Sequence, residues 1–247
     1  MAAPSLAELR AELRALADEE DAAGFRRFFK TGPGEYGEGD RFLGVRVPVL
    51  RRLARTARTL PLADALELLR SPWHEERLLA LLILVEAYAR VDAAEREEIH
   101  RAYLAHTRWV DNWDLVDSSA HHLVGAHLDP RDLSLLEGLA RSDSLWERRI
   151  AMIATLHWIR QGVFAPALQV AELLLHDRHD LIHKAVGWML REVGNRDREA
   201  EESFLREHSR TMPRTMLRYA IERFPEPLRR GYLAGEVPPV AEPPVRT

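Results

Sequence analysis

Apolar residues recur at spacings of three and four along residues 5–17, 47–58, 62–70, 75–90 and 93–107, and again in the segments that follow. That period belongs to amphipathic helices. No stretch alternates apolar and polar positions as a half-buried strand does. Prolines in Ser71-Pro72, Asp129-Pro130 and Met212-Pro213 predict helix starts, where the missing N–H is no loss. The pattern predicts an all-α chain.

The pattern also repeats. Ser71-Pro-Trp-His-Glu-Glu-Arg77, Thr107-Arg-Trp-Val-Asp-Asn-Trp113, Ser142-Asp-Ser-Leu-Trp-Glu-Arg148, Asp177-Arg-His-Asp-Leu-Ile-His183 and Met212-Pro-Arg-Thr-Met-Leu-Arg218 fall in register. They start 35 or 36 residues apart. Each opens on a turn or cap residue and runs into a helix. A fixed period of this size, one helix pair per unit, predicts an α-solenoid of HEAT or armadillo type, with antiparallel pairs and a concave face. The alternative is a plain helical bundle. One repeat domain is expected over residues 1–234, interrupted by a glycine-rich loop at 31–41. This loop lacks the Gly-Lys-Ser/Thr ending of a phosphate-binding P-loop. A proline-rich tail, expected to be disordered, occupies 235–247.

Composition narrows the function. Of 247 residues, 46% are hydrophobic and 30% charged, the balance of a globular protein. No apolar run approaches the roughly 20 residues of a membrane span. The N-terminus does not read as a secretory leader, so a cytoplasmic protein is expected. With no cysteine, disulfides, thiolate metal sites and cysteine nucleophiles are excluded. A net charge of -4 argues against indiscriminate nucleic-acid binding. Only Lys30 and Lys184 are lysines among 35 basic residues. Genomic base composition explains that bias most simply; arginine's affinity for phosphate is the functional reading.

The repeat register places candidate chemistry. Trp113 and Asp117 are four apart, neighbours on one helical face. Lys184, Trp188 and Arg191 form another stripe, and Arg149 holds the same repeat position as Asp114 and Lys184. One concave wall is therefore expected to present two indoles, a carboxylate and several cations, a mixture more typical of binding than of packing. Each residue also has a plain structural reading. Trp146 and Trp158 read as core, Trp109 equally as core or surface, Asp117 as an ion-pair partner, and Arg148 and Arg149 as solvated charges. A metal site on Asp111, Asp114, Asp117 and His121 is disfavoured, because positions i and i+6 lie about 120° apart on a helix. No metal and no cofactor are expected. Zinc-hydrolase and serine-elbow motifs are absent.

Four motifs in order, Phe42-Leu-Gly-Val-Arg-Val-Pro48, Asp111-Asn-Trp-Asp-Leu-Val-Asp117, Ser142-Asp-Ser-Leu-Trp-Glu-Arg-Arg149 and Lys184-Ala-Val-Gly-Trp-Met-Leu-Arg191, resemble the DNA alkylation repair (AlkD-like) family. The resemblance spans about Leu6 to Tyr232. It implies a HEAT-like, monofunctional DNA glycosylase that removes cationic N3- and N7-alkylated purines from duplex DNA without deep base flipping; a monomer is expected. It further implies that Trp113, Asp117 and Trp188 form the catalytic cleft. Arg149 and Arg191 then hold the DNA backbone, with Lys184 and Arg218 as further DNA contacts. Phe28 stands where a well-known member has tyrosine, and the 31–41 loop is longer than in that member. The competing expectation is a catalytically inactive repeat scaffold that binds DNA or a protein.

Overall fold

The computed structural model describes residues 4–236. These are helices joined by turns, with one isolated bridge pair, Arg41 and Trp73. From residue 237 on, the proline-rich segment lies outside the described residues. The chain groups into two compact units, divided between Asp129 and Pro130.

The first unit comprises α1 (Leu6–Ala15), α2 (Glu19–Phe28), α3 (Val47–Thr56), α4 (Leu62–Leu69), α5 (His74–Tyr88), α6 (Ala93–Ala105) and α7 (Trp113–Ala120). Ser5 and Glu8 close a capping box on α1, and Asp18 caps α2 by accepting the Asp21 N–H. Helix α5 is apolar on every face from Leu78 to Leu84, so it must be enclosed. Helices α3, α4 and α7 pack around it. Its first turn is unusual: His74, Glu75, Glu76 and Arg77 are all charged or titratable and all buried. Buried charges survive only when partnered. Glu76 takes Arg10 Nε at 3.2 Å and Arg14 at 3.3 Å, which fastens α1 to α5.

The second unit runs through α8 (Ser134–Ala140), α9 (Leu145–Ala154), α10 (Leu156–Ile159), α11 (Ala165–Leu173), α12 (Asp180–Gly194), α13 (Arg198–His208), α14 (Arg214–Ala220) and α15 (Glu226–Ala234). Helix α12 is its centre, packed against α9, α11, α13 and α14. Gly187 makes the α12–α14 contact possible, because a Cβ there would strike the Met216 carbonyl and the Tyr219 side chain.

The fold is of the all-α helical-repeat class that the periodicity predicts. The repeat register has a local cause. The Ser71 hydroxyl accepts the Trp73 N–H at 3.1 Å, the Ser142 hydroxyl accepts the Ser144 N–H at 3.1 Å, and Asp177 accepts the His179 N–H at 2.8 Å. The same side-chain turn thus opens three repeats. Six residues on, Arg77 and Arg148 each donate back to the carbonyl of the opening serine, at 3.2 and 2.9 Å.

Three expectations change. Pro72 and Pro130 precede their helices by two or more residues, leading the chain through the turn; only Pro213 directly abuts its helix. Arg148 and Arg149 are not solvated charges. Arg148 pairs with Asp177 at 2.7 Å, and Arg149 is 4% exposed and donates to the Leu181 carbonyl at 2.6 Å. Together they stitch the third repeat opening to the fourth. Trp158 is core, whereas Trp146 and Trp109 are half-buried.

Candidate functional site

The chemistry-bearing cleft of the first unit is built from the chain around the glycine-rich loop. That loop is ordered by its own side chains: Glu35 accepts the Gly32 N–H and Glu38 the Gly34 N–H, both at 2.9 Å. Gly44, a few residues on, has φ +85°, and a Cβ there would collide with the Asp18 carbonyl. No other residue fits this turn without strain. The turn aims three successive amides at one acid: the Leu43, Gly44 and Val45 N–H groups donate to the Glu75 carboxylate at 2.9, 2.8 and 3.2 Å. Burial raises the Glu75 pKa, and the amide bonds offset only part of that rise.

Fixed in this way, Phe42 joins a column of rings. His74 lies over Phe42 at 4.6 Å between centroids, Phe42 over Phe29 at 5.1 Å, and Phe29 over Trp113 at 5.4 Å. Phe28, 63% exposed, meets the Trp113 ring edge-on at 5.8 Å. The rings border a cleft of about 520 Å³ that is also lined by Asp114, Asp117 and Ser118.

Helix α7 presents Trp113 and Asp117 to that cleft from one face, one turn apart. Asn112 caps the helix, and past Ala120 the chain takes a wider π turn over His121–Gly125. The other two acids of the 111–117 motif are committed to cations of α5. Asp114 receives His74 Nε2 at 2.8 Å, and Asp111 lies 3.2 Å from the Arg77 guanidinium. The opposite ring nitrogen, His74 Nδ1, bonds Asp40 at 2.7 Å, and Arg77 reaches Asp40 at 2.9 Å. Burial works against a charged imidazole, but Asp114 and Asp40 outweigh it and push the His74 pKa up to about 10. Burial likewise opposes the Asp40 carboxylate, yet His74 and Arg77 hold its pKa below the ordinary value. Burial raises that of Asp111.

The remaining predicted residues lie in the second unit. Lys184, Trp188 and Arg191 occupy the half-buried stripe of α12, opposite its apolar face. Lys184 pairs with Asp180 at 2.7 Å, and Arg191 pairs with Glu222. Arg149 bonds the Leu181 carbonyl in the first turn of the same helix. Arg218 is exposed on α14. Within each unit, then, the structure groups Trp113 with Asp117, and Arg149 with the Lys184–Trp188–Arg191 stripe.

Sequence reasoning missed Phe29, Asp40, His74 and Glu75. The available signal was the run His74-Glu-Glu-Arg77 opening a helix with no polar face. Such a run needs partners from elsewhere in the chain.

Comparison with known proteins agrees with this architecture. The chain matches a solved structure described as a predicted DNA alkylation repair enzyme from Enterococcus faecalis, with a TM-score of 0.66 and 17% identity, over 85% of this chain and 97% of that one. At that identity the likeness is one of fold. No curated protein matches the sequence. The sequence profile of the family described as DNA alkylation repair enzyme matches residues 9–224. Spanning most of the chain, that match makes this protein a member of the DNA alkylation repair enzyme family.

Proposed function

We propose that this family member is a monofunctional DNA glycosylase that hydrolyses the N-glycosidic bond of cationic N3- and N7-alkylated purines in duplex DNA. The observation that carries the reading is the pairing of an indole face with a carboxylate: Trp113 and Asp117 line one aromatic cleft from successive turns of α7.

The chemistry suits these groups. An alkylated purine is already positively charged, so when the C1′–N bond breaks its electron pair moves to the base, which leaves neutral. No general acid is required. The sugar left behind develops oxocarbenium character and requires a fixed negative charge and a water. Asp117 supplies the charge, orients the water toward C1′, and takes its proton as the new C–O bond forms. The Trp113 and Phe28 rings attract the cationic base through their faces, worth about 0.5–2 kcal/mol depending on desolvation. The cleft is open at the exposed Phe28, which suits a lesion that is not extruded into a deep pocket. By the family resemblance, Trp188 takes a catalytic role and Arg149 and Arg191 are assigned to the DNA backbone, Arg149 from a buried position on the Leu181 carbonyl; Lys184 and Arg218 are proposed as further phosphate contacts. Lys184, paired with Asp180, is not assigned a Schiff-base role, so no strand-cleaving lyase step is expected.

The test is excision of 7-methylguanine from methylated duplex DNA, with and without a chelator. Asp117→Asn should lower the single-turnover rate by about 100-fold or more, the scale of losing one preorganised electrostatic group, while DNA binding persists. Unchanged excision by that variant refutes the assignment. Parent protein that binds DNA without excision supports the inactive-scaffold reading, and loss of activity on chelation supports a metal hydrolase.

A further inference from the structure

We infer that His74 is the positioning residue of the cleft: bridging Asp40 of the glycine-rich loop and Asp114 of α7, it holds Trp113 and Asp117 in place. The inference rests on the glycosylase reading for its activity assay, but the geometry that carries it lies wholly within the first unit.

Two routes run from His74 to the functional side chains. One is ionic. Both ring nitrogens are used, Nδ1 on Asp40 at 2.7 Å and Nε2 on Asp114 at 2.8 Å, and the side chain is only 2% exposed. An imidazole can donate from both nitrogens only when protonated. Two carboxylates therefore select the cation, and the cation in turn ties the loop to the first turn of α7. Asp114 immediately follows Trp113 and precedes Asp117 by three residues, so moving it moves both. The second route is the ring column from His74 through Phe42 and Phe29 to the Trp113 indole. At its far end an imidazolium lies over Phe42 with the planes only 25° apart, a favourable arrangement for a cation on an aromatic face.

Every group packed against His74 fits this role. Asp40 is shared with Arg77, which also reaches Asp111, so the loop, α5 and the segment before α7 form one ion network, buried at His74, Arg77 and Asp40 and partly exposed at Asp111. Glu75, the next residue, fixes the backbone of residues 43–45 and with it Phe42. The network also gives the glycine-rich loop a task, since that loop delivers Asp40. Truncating one partner of a buried pair strands the other charge. Among the described residues the Asp114 carboxylate is held by His74 alone, and its second oxygen is buried without a hydrogen bond. Neutralising the imidazole therefore leaves Asp114 with no reason to stay where α7 now holds it.

The test uses the full chain, the variants His74→Gln and Asp40→Asn, and three measurements. In the parent, 15N shifts of the His74 ring should show both nitrogens protonated from pH 6 to pH 9. In both variants the Trp113 indole N–H resonance should move, while circular dichroism still reports a helical fold. In excision of 7-methylguanine, kcat should fall at least tenfold with KM changed less than threefold, and Asp40→Asn should be milder because one bridge remains. A neutral His74 ring at pH 7 overturns the inference, as does a Trp113 resonance unmoved in Asp40→Asn. Should His74→Gln fail to fold, the parent ring shifts and Asp40→Asn decide. Should the parent excise nothing, the glycosylase reading fails, while the two spectroscopic measurements still judge the positioning role.

Discussion

Removing the Glu75 carboxylate should loosen the cleft wall by an amount set by the hydrogen bonds it leaves open. Three amides, of Leu43, Gly44 and Val45, converge on that side chain inside the protein. A buried N–H deprived of its acceptor costs about 1–3 kcal/mol. Glu75→Ala opens all three at once, but it also relieves the burial of a carboxylate whose raised pKa marks it as poorly solvated. The net expectation is a loss of about 3–5 kcal/mol, because these two effects oppose each other. Glu75→Gln is the sharper probe. One Glu75 oxygen accepts from Gly44 and Val45, the other from Leu43. The amide keeps the first acceptor and sets its NH2 against the Leu43 N–H, so about 1–3 kcal/mol should be lost. In a domain of this size that amounts to roughly 2–12 °C in melting temperature. Urea midpoints rank the variants, and amide hydrogen exchange at residues 43–45 locates the loss. The reasoning fails if Glu75→Ala lies within 1 kcal/mol of the parent, if Glu75→Gln is the worse of the two, or if exchange at those amides stays protected.

Two further outcomes are expected in the second unit. Gly187→Ala forces a methyl against the Met216 carbonyl and the Tyr219 side chain. It should cost at least the 1–3 kcal/mol of an overpacked core, read as a lower melting temperature without a change in far-ultraviolet dichroism. Burial, only partly opposed by Arg198, pushes the Glu201 pKa up to about 8 from an ordinary 4.5. Because the folded value is the higher one, ionising this group opposes folding: the penalty is absent below pH 4.5, grows between 4.5 and 8, and is complete above 8. Glu201→Gln should therefore flatten the decline of stability over that interval and raise the urea midpoint at pH 8.5 by more than at pH 5. Equal shifts at the two pH values would argue against it.

The helices and their repeat register were legible because both rest on local pattern. Apolar spacing set the helices, and a serine or aspartate caught the amide two residues on at three repeat openings. The Trp113–Asp117 pairing was legible too, being a matter of spacing along one helix. What stayed hidden depends on residues far apart in the chain. His74 meets Asp40 and Asp114, 34 and 40 positions away, and Glu75 meets amides some 30 positions back. Charged residues opening a helix ordinarily face water, so nothing in the local sequence marked these as buried. Arg148 was misread for the same reason, since its partner Asp177 belongs to the next repeat. Phe29 and Phe42 stack across a loop whose path no periodicity describes.

The glycine-rich loop separates length from geometry. Its entry is tied to the end of α2 by the Thr31 N–H on the Arg26 carbonyl, and its exit is held by Asp40 in the ion network. Between those moorings the chain folds back on itself through Glu35 and Glu38. Doubling such a span adds only about 0.6 kcal/mol of closure entropy. Insertions between residues 32 and 36 should therefore be cheap, whereas Gly37, buried with its N–H on the Lys30 carbonyl and with no room for a Cβ against Phe29, and Asp40, which holds the exit, must keep their places.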